Sequence, residues 1–458
     1  MSEPRIMDQK VGAARENWAS QVGFILAAAG SAIGLGNIWR FPYLTGTNGG
    51  AAFVVLYLAA IIFIGYPIMV AEMAIGRKSQ RNAYGAFAAL APGTGWRWVG
   101  GLGVLTGFVI LSYYSVVGGW GISYIFKTLV GMLPKGTDFA GAFVGHIGAT
   151  WEPIFWHAVF MGLTTAIIAA GVVKGIQRWS EILMPMLAVS LFILVIRSVT
   201  LPGAMAGLSF YLKPDFSTIT AKTLLDAVSQ AFFSLSLGMG CMITYGSYVS
   251  SKEDLTRSAA YVVGLDTLAA FVAGLAILPA VFALGFEPGA GAGLTFITLP
   301  AVFAEMPLGA FFGVVFFFLL SIAALTSAIS LLEVVVAWLV DEKGWNRPRA
   351  ALLTGTVCFL FGLPTTLGYG ALSGVTFLGM DLLDTYDWIT NSIFLPLGGL
   401  LTAIFAGYVW GTKNVAAEAN KGSSGMAVGE WWAFLIRYVV PIAIGIIMIS
   451  GIYQRIAG

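Results

Sequence analysis

Only 10% of the 458 residues are charged, 58% are hydrophobic, and the mean hydropathy is +0.86. A soluble domain carries roughly a quarter charged residues, so this composition excludes a water-soluble globular protein and makes a bilayer the solvent. The net charge of +2 singles out no partner, and two cysteines, Cys241 and Cys358, offer no disulfide framework or metal cluster.

In chain order, residues 1–17 are polar and carry no signal-peptide pattern. They are expected to form a cytoplasmic N-terminal segment, with the first apolar segment retained. Windows of about 20 apolar residues predict eleven spans, near 18–44, 49–75, 98–127, 152–172, 177–198, 223–249, 256–285, 308–340, 348–366, 380–410 and 431–454. With the N-terminus inside, sixteen Lys and Arg fall on the cytoplasmic side and six outside. That bias sets the orientation, and an odd number of spans puts the C-terminus outside. An all-α polytopic protein of the cell inner (plasma) membrane is expected.

Span 1 contains GSAIGLGNIWRFPY at residues 30–43. Glycine weakens a helix interior, and asparagine and arginine are costly in hydrocarbon. A simple anchor would avoid all three. Span 6 repeats the interruption as FSLSLGMG at 233–240. The two breaks lie five spans apart, so a repeat relating them has inverted topology. Paired interrupted helices in two halves point to a transporter binding site: unwinding frees carbonyls and amides to bind something. Close packing of small residues is the plainer reading of such glycines, and it explains one break better than two matched ones.

Span 5 opens with GIQRWSEILMP, which sets Gly175 and Pro185 ten positions apart. Proline removes a helix hydrogen bond, so the pair is a candidate hinge for an inner water path. Glu72 and Glu333 are further acids within spans, expected to serve as hydrogen-bonding groups.

GLGNIWRFPY at 34–43, NGG at 48–50, QAFFSLSLGMG at 230–240, ITYGSY at 243–248, FITLPAVF at 296–303, LTSAIS at 325–330 and Asp341–Glu342 resemble the neurotransmitter:sodium symporter family, and in particular its bacterial amino-acid branch. The resemblance covers nearly the whole chain. It implies a LeuT-like fold of two five-span repeats, residues 18–200 and 223–411, with helices 1 and 6 unwound and 431–458 as an added eleventh span.

The resemblance also implies a site. One Na+ would sit between spans 1 and 8, on the carbonyls of Gly30, Ile33 and Ala323 and the hydroxyls of Thr326 and Ser327. A second Na+ would be held by the Ala32 carbonyl, Asn37, Ser234, Asp266 and the substrate carboxylate. Oxygen ligands suit a hard cation. LeuT-like members carry asparagine at the position of Asp266 and a glutamate at that of Ala270, so the intramembrane charge is kept but moved. Animal members bring in chloride here, at positions matching Tyr57, Gln230 and Ser234. A fixed carboxylate implies chloride independence instead.

For the substrate, the amides of Leu35 and Gly36 and the Tyr114 hydroxyl are implied for a carboxylate. The carbonyls of Ala32, Phe233 and Ser234 and the Ser236 hydroxyl are implied for an amine. Gly34 stands where monoamine transporters of the family carry aspartate, so an α-amino acid fits better. Ile110, Tyr114, Phe233, Met239, Ser327 and Leu331 would surround its side chain, and their apolar character favours hydrophobic L-amino acids. Met239 replaces an aromatic residue, and its flexibility widens tolerance.

Arg40 and Asp387 are implied as the outer gate, under which Tyr114 and Phe233 form a thinner lid. Arg15 and Asp341, braced by Trp18, Ser247 and Tyr248, are implied as the inner gate. The expected partners are therefore a hydrophobic L-amino acid, Na+ and the lipid bilayer, with no nucleic acid. Two rivals stand beside sodium symport: proton coupling through Asp266, Glu72 or Glu333, and a sensor that binds without transport. The breaks contain no nucleophile–base pair or phosphate loop, so an enzyme is not expected.

Overall fold

The computed structural model describes residues 16–287 and 293–457, and Arg15 lies outside them. Nine of the described helices are long and apolar enough to cross a bilayer uninterrupted. Ala51–Ser79, Arg97–Leu129, Trp151–Ala169 and Val172–Val199 form spans 2 to 5. Leu255–Ala283, Gly309–Lys343, Arg347–Leu367, Leu382–Val409 and Glu430–Arg455 form spans 7 to 11. Span 1 is a bent pair, Gln21–Ala32 and Gly36–Thr47, at 52°.

The sixth crossing is broken, as the interruption at 233–240 predicts. It divides into Ala221–Ser234 and Cys241–Gly246, and neither piece reaches the length a bilayer needs by itself. Eleven predicted crossings thus become nine whole helices, one bent and one broken.

Capping fixes where many of these helices begin. The Ser20 hydroxyl accepts from the Gly23 amide at 3.0 Å, Asn82 and Asp138 cap short interfacial helices, and Thr220 and Thr223 form a reciprocal box. Spans 3 and 8 make the most extensive helix pairing. Small residues let backbones meet elsewhere: a Cβ on Gly76 of span 2 would fall 1.9 Å from the Ile243 carbonyl oxygen, and one on Gly246 2.6 Å from that of Met73. Span 2 and the second half of span 6 are thereby locked face to face.

Connecting segments divide cleanly between two ends. At one end, the Trp18 amide donates to the Tyr248 carbonyl at 3.1 Å and the Ala19 amide to Gln177 Oε1 at 2.9 Å. Buried Arg77 joins this end to the 10–11 connection, donating to Glu418 Oε1 at 3.1 Å and to the Glu253 carbonyl at 2.9 Å. Asp254, in the connection before span 7, is held below the usual carboxylate range. Burial opposes its charge, but amides of Ser424 and Arg257 and hydroxyls of Ser424 and Thr256 outweigh that. At the opposite end Lys127 pairs with Glu152 at 3.1 Å, and Arg455 donates to the Leu378 carbonyl. The two ends of the described chain therefore lie at opposite ends of the bundle, as an odd number of crossings requires.

Span 5 is wound throughout, with one wide turn at Val172–Gln177 followed by Arg178–Val199. A Cβ on Gly175 would lie 2.1 Å from the Ile167 carbonyl oxygen. In this arrangement Gly175 packs closely on span 4, and Pro185 lies inside continuous helix.

Candidate functional site at the two broken helices

The breaks in spans 1 and 6 use glycine for different reasons. After Ala32 the chain extends at Ile33, with ψ 99°. The Gly34 amide donates to Asn37 Oδ1 and the Leu35 amide to the Tyr114 hydroxyl, each at 3.0 Å. A Cβ on Gly34 would lie 2.4 Å from Ser327 Oγ and 2.6 Å from the Tyr114 hydroxyl, and one on Gly36 2.9 Å from the Phe233 ring. These glycines create room.

In span 6 the backbone itself is left-handed, with φ +54° at Ser236, +80° at Gly238 and +78° at Gly240. A Cβ on Gly238 would also come within 2.4 Å of the Leu395 carbonyl oxygen. Gly238→Ala is therefore expected to destabilise the protein by about 2–4 kcal/mol. Thermal denaturation of the purified variant checks this, and an unchanged Tm would mean the break can shift. Buried Glu72 of span 2 accepts from the Gly238 amide at 2.8 Å and so holds the break in place.

Asp266 of span 7 lies between the breaks and is 0% exposed. Its carboxylate accepts from Ser234 Oγ at 2.8 and 3.0 Å, from Asn37 Nδ2 at 2.8 Å and from the Tyr57 hydroxyl at 3.4 Å. None of the ion pairs among the described residues includes it. Removing an unpaired carboxylate from water costs several kcal/mol, and neutral donors offset only part of that. Ser234 and Asp266, from two spans, present oxygens suited to a hard cation, while Asn37 of a third turns its Nδ2 to both and its Oδ1 to the Gly34 amide.

A second oxygen cluster joins spans 1 and 8. Ser327 Oγ reaches across to the Ser31 carbonyl at 3.0 Å and the Gly30 carbonyl at 3.5 Å. Thr326 instead donates within its own helix, to Ala323 at 3.1 Å and Ile322 at 3.2 Å. Such back-bonding is the ordinary habit of threonine in a membrane helix. Ser236 Oγ donates to the Ser31 carbonyl at 2.8 Å, so its hydroxyl bridges the two breaks. Ile110, Met239 and Leu331 are all buried. A Cβ on Gly107, one turn before Ile110, would lie 3.4 Å from the Leu331 carbonyl oxygen and 3.8 Å from that of Met239. Spans 3, 6 and 8 converge there.

Arg40 and Asp387 do not form a direct ion pair. Arg40 donates to Gln230 Oε1 at 3.0 Å and Ser229 Oγ at 3.3 Å, and its guanidinium lies 5.4 Å from the Phe233 ring centroid. Asp387 accepts from Asn391 Nδ2 at 2.7 Å. Gln230 also donates to the Gly36 carbonyl at 2.8 Å, so it is the bridge from Arg40 to the break.

Toward the end that carries Trp18, closure is aromatic and ionic. Trp18 packs edge-on against Tyr245 and Tyr248, with centroids at 5.3 and 5.9 Å. The Tyr248 hydroxyl donates to Glu333 at 2.6 Å, and Arg347 grips Glu333 with two nitrogens at 2.6 and 2.9 Å. Glu333 is thus an ion-pair centre rather than a merely hydrogen-bonded acid. Asp341 accepts from the amide and side chain of Asn82 at 2.9 and 3.1 Å. Sequence reasoning counted Arg347 only as a topogenic charge, because no spacing rule relates residues on two helices separated by a turn.

The sequence model of the Sodium:neurotransmitter symporter family matches residues 15–139 and 144–457. An uncharacterized sodium-dependent transporter of Bacillus subtilis, YhdH, is 41% identical over 94% of this chain and 97% of its own. The sodium-dependent serotonin transporter of Drosophila melanogaster is 28% identical over 97% of this chain and 78% of its own. Among solved structures, MhsT in complex with L-phenylalanine is similar at 48% identity with a TM-score of 0.89, covering 95% of this chain and all of that one.

Proposed function

The chain belongs to the sodium:neurotransmitter symporter family, whose members are sodium-coupled transporters and not enzymes, and from that premise we propose that it carries hydrophobic L-amino acids into the cell together with Na+. The carrying observation is buried Asp266, held by Asn37 and Ser234 beside the break. Na+ neutralises this carboxylate, and a second Na+ lies by Gly30, Ala323, Thr326 and Ser327. A carboxylate of the substrate reaches the Leu35 amide and the Tyr114 hydroxyl, already paired at 3.0 Å. The similarity to a transporter solved with L-phenylalanine supports an apolar side chain.

Asp266 supplies a permanent negative charge, so transport proceeds without chloride. The N-terminus faces the cytoplasm, as the Lys and Arg bias favours. Residues 18–200 and 223–411 act as the inverted repeats, and the closures at Phe233 and Trp18 open in alternation. Two Na+ crossing 100 mV supply about 4.6 kcal/mol, roughly three decades of accumulation.

The test is equilibrium binding of an amino-acid panel to the purified protein, with sodium replaced by potassium and chloride by gluconate. Hydrophobic amino acids are expected to bind only with sodium and equally well without chloride. Sodium-independent binding would favour proton coupling or sensing, and a strict need for chloride would remove the assigned role of Asp266.

A further inference from the structure

Away from the breaks, a cleft of about 890 Å³ opens between spans 3, 8 and 9 at the end that carries Trp18. Leu105 and Phe108 of span 3, Leu339 of span 8, and Leu353 and Val357 of span 9 form apolar walls. Apolar walls facing a bilayer are ordinary, and by themselves they name no occupant. Three further observations do.

The first is the rim. Lys343 and the Trp338 ring both line the cleft, with the ammonium 5.6 Å from the ring centroid. Trp98 lines it too, and the Arg97 guanidinium lies 5.5 Å from that ring. Arg349 precedes the wall residue Leu353 by four positions, which puts it on the same helix face nearer the mouth. Its guanidinium lies 5.1 Å from the Trp345 ring. Cation–π contact holds each of the three cations at ring level, the depth at which aromatic belts meet headgroups. One acid, Glu342, also lines the cleft, and its Oε1 accepts from Asn82 Nδ2 at 2.9 Å, while the neighbouring Asp341 accepts from the amide and side chain of Asn82 at 2.9 and 3.1 Å.

The second observation is Thr354. It lines the cleft, is 4% exposed, and its hydroxyl has no hydrogen-bond partner. A buried hydroxyl without a partner is costly. It lies five residues past Arg349, about 7 Å deeper along the helix. Cations outermost, a polar hydroxyl next and hydrocarbon-like walls deepest reproduce the order of phosphate, ester and acyl chain in a phospholipid. The third is Gly101, which also lines the cleft. A Cβ there would make only ordinary contacts, at 3.4 Å to Trp98 and 3.5 Å to Tyr84. Helix packing does not demand this glycine, and a large side chain would enter the cleft.

We propose that this cleft binds an anionic phospholipid, with one acyl chain between spans 3, 8 and 9, the Thr354 hydroxyl on an ester carbonyl, and the phosphate on Arg97, Lys343 and Arg349. Basic pockets between membrane helices recognise anionic headgroups in this way. The inference is independent of which amino acid is transported.

Native mass spectrometry of the delipidated full-length protein tests it, with phosphatidylglycerol and phosphatidylcholine of identical chains as probes. The first phosphatidylglycerol adduct is expected at a concentration about tenfold lower than that for phosphatidylcholine. The triple variant Arg97→Gln, Lys343→Gln, Arg349→Gln is expected to lose the preference while keeping phosphatidylcholine adducts, which shows that it is folded. Gly101→Leu is expected to weaken the first adduct of either lipid with the rim intact. Equal retention of the two lipids by the native protein would overturn the proposal, as would a preference that survives the triple substitution. Competition by glycerol phosphate as strong as by the lipid would reassign the rim to a free phosphate.

Discussion

Asp266→Ala is expected to raise the sodium concentration needed for half-maximal amino-acid binding by about 30-fold or more. The basis is electrostatic: truncating one partner of a buried charge pair typically costs about 2–5 kcal/mol, and Asp266 is completely buried. The loss also strands the Ser234 hydroxyl, which donates to this carboxylate, whereas Asn37 Nδ2 keeps the residue-266 backbone carbonyl and Ser234 Oγ as acceptors. Asp266→Asn isolates most of the charge effect, since it keeps the shape and one acceptor oxygen for Asn37 and Ser234 while removing the charge. Its expected loss is about tenfold, near 1.4 kcal/mol. Sodium titrations of amino-acid binding at fixed ionic strength read both values. If both variants keep the native sodium dependence, Asp266 is not the countercharge of the transported ion.

Arg347→Ala should open the end of the molecule that Trp18 and Tyr248 close. Glu333 is 0% exposed and is held by Arg347 through two hydrogen bonds and by Tyr248 through one. Removing the arginine leaves a buried carboxylate without its cation, a change worth about 3–5 kcal/mol against the closed arrangement. A bias of that size shifts a two-state equilibrium by about 100-fold or more. Cys241 supplies the reporter, because it is fully buried in the second half of span 6. In a Cys358→Ser background, its reaction with a soluble thiol reagent is expected to accelerate at least tenfold in Arg347→Ala. Adding Glu333→Gln should slow it again, because no charge is then left unpaired. Labelling at the native rate in Arg347→Ala would show that this ion pair does not hold the closure.

The sequence made the membrane class legible because hydrophobic length is a local property. So were the two interruptions, since glycine, serine and asparagine within an apolar run carry their meaning without a partner. What each glycine does was not local. Gly238 and Gly240 adopt left-handed backbone, whereas Gly34 and Gly36 make room for Ser327, Tyr114 and Phe233. The same composition thus served two physical purposes, which only neighbouring spans distinguish.

Partner choice was the least readable layer. Arg40 turns to Gln230 and Ser229 and is not in direct contact with Asp387, and Glu333 meets Arg347. Gly175 packs on a carbonyl of span 4 within a wound helix. Chain by itself, this protein was determined to be a many-span membrane protein with two broken helices and buried oxygen donors, because composition and span length act residue by residue. Which side chains meet was decided by the tertiary structure, because a hydrogen bond or ion pair depends on a few tenths of an ångström between helices far apart in sequence.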